Sequence, residues 1–150
     1  MIAKLKHFSP KETKNNKSLW HVIDATDKTL GRLASEISVI LMGKNKVDYI
    51  PHQMSGDFVV IINASNVKVT GKKLQQKTYI SHSTRPGSTK EKKYSELLNN
   101  NPEYIISHAV KGMLPKNKLG AKMLKRLKVY PNSQHPHEAQ LIWSEKINKS

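Results

Sequence analysis

The chain has 150 residues, of which 37% are hydrophobic and 25% charged; this suits one domain with a modest core and excludes a wholly disordered polymer. With 26 Lys and Arg against 11 Asp and Glu, the net charge is +15 at neutral pH, an excess that repels itself and calls for a polyanion. No cysteine is present, so disulfide frameworks, thiolate zinc sites and cysteine nucleophiles are excluded together.

Residues 1–19 carry five Lys and one Glu and lack the apolar stretch of a secretory signal, so they read as a basic N-terminal extension, or as the remnant of an organelle-targeting peptide. The main domain is expected over residues 20–131. Trp20 to Ala25 is a short β-branched run ending at the turn-prone Asp24–Asp27 segment, which predicts a strand. Leu30, Leu33, Ala34, Ile37 and Leu41 recur at helical spacing, with Thr29 available as N-cap and Gly43 as the left-handed stop. Phe58 to Ile62 is five apolar residues without alternation, as in a strand buried on both faces of a parallel sheet. Strand, helix and strand make a βαβ unit.

Val67, Val69 and Thr78 to Ile80 flank a Gly71-Lys72-Lys73 turn and read as less buried, edge-type strands. Ser81 to Lys93 contains Pro86 and Gly87 without apolar periodicity, predicting a long exposed loop. A short helix is expected near Ser95. Another starts at Asn101-Pro102, with Ile105, Ile106, Ala109, Val110 and Met113 as its apolar stripe, and stops at Pro115. Leu119, Met123, Leu124 and Leu127 give the apolar face of a further helix whose other side carries Lys118, Lys122 and Lys125 as a basic ridge. Val129 and Tyr130 suggest a last short strand. Residues 132–150 read as an extended C-terminal tail. The expected fold class is therefore α/β.

Two stretches are nearly free of acids. Lys68 to Lys93 holds eight Lys or Arg opposed only by Glu91, and Lys111 to Lys128 holds seven opposed by none. One such run is an ordinary solvated surface, but two in a chain at +15 favour phosphate binding. An anionic membrane is the rival polyanion and ranks lower, because the longest apolar run is Phe58 to Ile62. Tyr79, Tyr94, Tyr130, His82, His135 and His137 are interleaved with the cations and could stack on bases, each being as readily a core or capping residue. Tyr79 and Tyr130 lean towards the core and the loop histidines towards RNA.

Enzymatic chemistry finds little support. Gly43-Lys44 and Gly71-Lys72 lack the earlier glycine and the following Ser or Thr of a phosphate loop. His135-Pro136-His137-Glu138 lacks a third histidine for a metal site. Asp24, Asp27, Asp48 and Asp57 could include an acid/base pair, although the first two suit a turn and helix start. No catalytic residue, metal or cofactor is expected.

The segments Trp20 to Ala25, Leu30-Gly-Arg-Leu-Ala-Ser35, Gly43-Lys44, Tyr49-Ile-Pro-His52, Gly56 to Val60, Asn63-Ala64, Thr70-Gly-Lys-Lys73, Ala109-Val-Lys-Gly-Met-Leu-Pro115, Leu127 to Tyr130 and His135 to Gln140 together resemble the L-thirteen family of large-subunit ribosomal proteins, bacterial and organellar type. That resemblance implies a three-layer α/β/α domain around a small, mainly parallel sheet, with basic loops and extended termini. It also implies binding to large-subunit ribosomal RNA, early subunit assembly and neighbouring ribosomal proteins, and no catalytic residue; no membrane and no small-molecule substrate are expected from the charge pattern and the missing motifs above. On the matching segments it points to Arg32, Lys44, His52, Lys72, Lys73, Lys111, Lys116, Arg126, Lys128, His135 and His137 as RNA contacts. Lys77, His82, Arg85, Lys118, Lys122 and Lys125 join them from the basic stretches. The chain departs from the family at Met42, where an Arg is usual, in the Thr84-Arg-Pro-Gly-Ser88 loop, and after Gln140. A regulator that binds RNA away from the ribosome, on the same fold, is the alternative.

Overall fold

In the computed structural model of the chain, which describes residues 18–148, Trp20–Asp24 is strand β1, Leu30–Met42 helix α1 and Phe58–Ile62 strand β2. β1 and β2 run parallel, with Trp20 beside Phe58 and Ile23 beside Ile61, so the expected βαβ unit is present. The helical stripe Leu30, Leu33, Ala34, Ile37 and Leu41 is buried. Thr29 stands at the N-cap without a side-chain capping bond, its position set instead by a backbone bridge to Lys68. Gly43 ends α1 at φ 76°, its N–H donating to the Ile40 carbonyl, the left-handed termination that glycine adopts without cost. The chain passes so close here that a Cβ on Gly56 would lie 1.8 Å from the Leu41 carbonyl oxygen.

A short helix, α2 (Lys73–Gln76), leads to strand β3 (Thr78–His82), which pairs antiparallel with β4 (Thr89–Lys93). The long loop expected over 81–93 is thus a loop only from 83 to 88. Its second half escapes detection because every residue of β4 is exposed, so no apolar alternation marks the strand. Tyr79 fastens this ribbon to the domain through ring contacts with Tyr94, Tyr104 and His108.

Helices α3 (Tyr94–Asn100), α4 (Pro102–Met113) and α5 (Lys118–Leu124) follow, then strand β5 (Leu127–Val129). Asn101 caps α4 by accepting from the Tyr104 N–H at 3.1 Å, and Asn117 caps α5 by accepting from Gly120 at 2.7 Å. β5 joins β2 in parallel to give the sheet order β1-β2-β5. Neighbours in register share a face, so Ile23, Val59, Ile61 and Leu127 face one side. There they meet Leu33, Ile37, Ile105, Ile106 and Val110 of α1 and α4 in the main core. Met113, placed in the α4 stripe from its spacing, is 42% exposed.

Val60 points to the opposite face and is also fully buried. Beside it Trp20 stacks on Phe58 at 4.4 Å, and His137 lies against Trp20 at 5.0 Å. The expected extended tail is corrected at this point, because Glu138–Asn148 forms helix α6, packed on β1 with Ser144 Oγ donating to the Trp20 carbonyl at 3.1 Å. Ile142 and Trp143 of α6 remain exposed, so its apolar residues make no single stripe that spacing could reveal. Helices therefore lie on both sides of the parallel sheet, the α/β arrangement expected. Of the expected N-terminal extension, residues 1–17 lie outside the described residues.

Candidate nucleic-acid interface

The first division among the cations is between those used inside the fold and those presented to solvent. Asp57, 1% exposed, accepts from the Leu19 N–H at 2.9 Å and pairs with His21 Nε2 at 3.0 Å and with Lys46. Burial pushes its carboxyl pKa up, but the bonds from His21, Lys46 and Leu19 outweigh it and hold the group below its ordinary 3.8. This aspartate, one of the four considered for acid/base work, thus anchors the segment between α1 and β2 to the start of the sheet. Lys28 pairs with Glu36 and Lys68 with Asp27. Among the described residues, none of the expected RNA-contact lysines or arginines is paired with a carboxylate.

Arg32 is exposed on the first turn of α1, and Lys44 and His52 are exposed in the segment after it. Met42, where the family pattern has Arg, is buried in the core, so that position presents no charge. Lys72 and Lys73 stand exposed at the Gly71 turn, while Lys77 is half-buried with its ammonium 5.2 Å from the centre of the Tyr79 ring. His82 ends β3, and Arg85 sits in the tip joining β3 to β4. Lys90, Lys92 and Lys93, which sequence reading left unassigned, are exposed on β4. They would have been found had the acid-poor stretch been paired with the β-prone Thr78–His82 as a hairpin.

Lys111, Lys116, Lys118, Lys122 and Lys125 are all exposed; Lys118 and Lys122 lie on α5 and Lys125 at its C-cap. The structure brings Lys111, Lys116 and Lys125 together around one groove of about 680 Å³ between the end of α4 and α5. Gly112, Pro115, Ala121 and Leu124 form its apolar lining, and His108 stands beside them. Ser35 Oγ, one turn beyond Arg32, donates to the Gly31 carbonyl at 3.0 Å and lies 3.5 Å from Met113 Sδ. Residues three apart share a helix face, which sets Arg32 on the surface adjoining the end of α4.

The remaining candidates have internal partners. Arg126 donates to the Gly56 carbonyl and lies over the Phe58 ring at 5.1 Å, at the same end of the sheet as Asp57, whose charge favours its cationic form. Tyr130 Oη and His137 Nε2 are 2.9 Å apart. Burial, with Lys128 and His135 nearby, lowers the His137 pKa, so a charged ring is disfavoured against Trp20. Lys128 shares the Val60 side of the sheet, half-buried like His135. Among the described residues no three His, Asp or Glu side chains gather as a metal site, and no helix is long and apolar enough to cross a membrane.

Comparison with known proteins follows the same outline. The model of the family described as "Ribosomal protein L13" matches residues 18–136. The chain is 58% identical over 121 residues to large ribosomal subunit protein uL13 of Trichormus variabilis, covering 81% of this chain and 80% of that protein. The uL13 of Thermosynechococcus vestitus is 59% identical over 121 residues, with the same coverage of 81% and 80%. That of a Thermoanaerobacter species is 53% identical over 131 residues, covering 87% of this chain and 90% of that protein.

Proposed function

Because the chain belongs to the ribosomal protein L13 family, we propose that it is a structural, non-enzymatic component of the large ribosomal subunit that binds large-subunit rRNA and supports early subunit assembly. The observation that carries this reading is a set of exposed Lys and Arg, unpaired with carboxylates among the described residues, spread over α1, the Gly71 turn, the β3–β4 ribbon and α5 on a chain at +15. Cations arranged in this way neutralise phosphates of several RNA segments at once, lowering their mutual repulsion so that they can pack together. Direct RNA contacts are proposed for Arg32, Lys44, His52, Lys72, Lys73, His82, Arg85, Lys111, Lys116, Lys118, Lys122 and Lys125. Arg126 and His137 hold the fold that displays them, and Lys77, Lys128 and His135 border the surface. Neighbouring ribosomal proteins are the expected protein partners.

Sucrose-gradient sedimentation of a tagged chain from its own cells tests this. The expected result is co-migration with large subunits and with their incomplete precursors, reversed by high salt. A chain that stays at the top of the gradient at cellular ionic strength contradicts it. A regulator acting off the ribosome would use the same cations, and no residue favours it.

A further inference from the structure

We propose that the groove between the end of α4 and α5 receives a single unpaired nucleotide, its base against the apolar lining and its flanking phosphates on Lys111, Lys116 and Lys125. The proposal rests on the ribosomal reading and adds to it the form of RNA that this surface selects.

The groove combines two features that an ordinary charged face lacks. Its lining is apolar at Gly112, Pro115, Ala121 and Leu124, while three lysines and no carboxylate stand around it. At about 680 Å³ it falls in the size range of pockets that hold small organic ligands, ample for one nucleoside. A paired A-form helix offers phosphates but no free base face, whereas a splayed-out base offers both a flat apolar surface and the charge beside it. His108 supplies a flat wall already held in place, its ring edge-on to Tyr79 at 5.3 Å and tilted against Tyr104 at 5.5 Å.

Gly112 adds an observation that points outward from the chain. It lies within α4 at a negative φ, where glycine weakens a helix relative to alanine. A Cβ added there would meet nothing within 4 Å. Gly120, across the groove, differs, since a Cβ there would lie 1.9 Å from the Pro115 carbonyl oxygen. Packing within the chain accounts for Gly120 and not for Gly112, which lines the groove with open space at its Cβ position. A ligand that approaches the α4 backbone closely would account for it.

The test uses the full chain and two RNA hairpins whose strands are joined by the same non-nucleotide ethylene-glycol linker in place of a loop, one with a fully paired stem and one whose stem carries a single-nucleotide bulge prepared with each of the four bases, bound at physiological salt and read by fluorescence anisotropy. The bulged hairpin should bind about tenfold more tightly, the scale of one stacked base. Gly112→Leu, which fills the groove from an unobstructed position, should abolish that difference while leaving affinity for the paired hairpin unchanged and the thermal transition no lower than in the wild type, since leucine favours the helix that glycine weakens. Equal affinity of the wild-type chain for the two hairpins, or a bulge preference that survives Gly112→Leu, overturns the proposal and leaves the ribosomal reading standing. Failure to bind any RNA overturns both.

A second variant, Ala121→Cys, gives the cysteine-free chain one attachment point for a photoreactive maleimide. In assembled large subunits the label should cross-link to an unpaired rRNA nucleotide. Cross-linking to an acidic segment of a protein instead overturns the proposal.

Discussion

Asp57 is where a single side chain matters most to the display of the others. Its carboxylate ties the Lys46 segment to β2 and, through Leu19 and His21, to the entry into β1. Removing one partner of a buried pair leaves the other charge uncompensated, so Asp57→Ala should cost about 3 kcal/mol in urea denaturation. The folded pKa lies below the ordinary 3.8. The stabilisation is therefore complete above the unfolded value and is lost as pH falls through the folded one. A titration of stability below pH 4 should show this acid limb in the wild type and lack it in Asp57→Asn. Tyr94 presents the reverse case, since its hydroxyl is buried with no hydrogen-bond partner among the described residues. Tyr94→Phe removes a desolvated group without breaking a bond and should raise stability by about 1 kcal/mol; a loss of stability would reveal a partner for that hydroxyl.

At the scale of elements, β2 and α5 separate folding from binding. Val60 is fully buried on the side of the sheet away from α1, with the half-buried Lys128 as its in-register neighbour on β5; one flanking cation does not offset the desolvation of a carboxylate at a fully buried position, and Val60→Asp should cost about 3–5 kcal/mol by thermal or chemical unfolding. By contrast Lys118, Lys122 and Lys125 are exposed. Replacing all three with Glu should weaken rRNA association at least tenfold, as the reversal of several phosphate contacts requires, while the thermal transition moves little. The elements legible in the sequence were those whose residues obey a period or a cap: the Leu30–Leu41 stripe, the unbroken Phe58–Ile62 run and the Asn101-Pro102 start. β4 and α6 obey neither, one being exposed on every residue and the other being held by backbone and Ser144 contacts to β1. The same limit governs the interface. Residue type marked Lys111, Lys116 and Lys125 as cations, but only the turn at Pro115 folds them around one groove. Arg126 and His137 look the same in sequence and turn inward because Gly56, Phe58 and Tyr130 offer partners that lie far away or out of register along the chain.

For the molecule as a whole, the surplus of positive charge is both a burden and a means. An isolated chain at +15 is destabilised by self-repulsion, and among the described residues the few internal ion pairs fall on Lys28, Lys46, Lys68 and His21 rather than on the displayed cations. Binding to RNA relieves that repulsion and expels condensed counterions, so stability and affinity should both depend on salt, in opposite directions. The central claim is most directly tested by titrating salt against the binding of the purified chain to large-subunit rRNA. If about 6–10 phosphates are neutralised, affinity should fall by about 10³–10⁵ between 50 and 200 mM salt, linearly on logarithmic axes. An affinity that barely changes over that range, or that is no greater for the folded rRNA than for an unstructured RNA of the same length, would contradict the account.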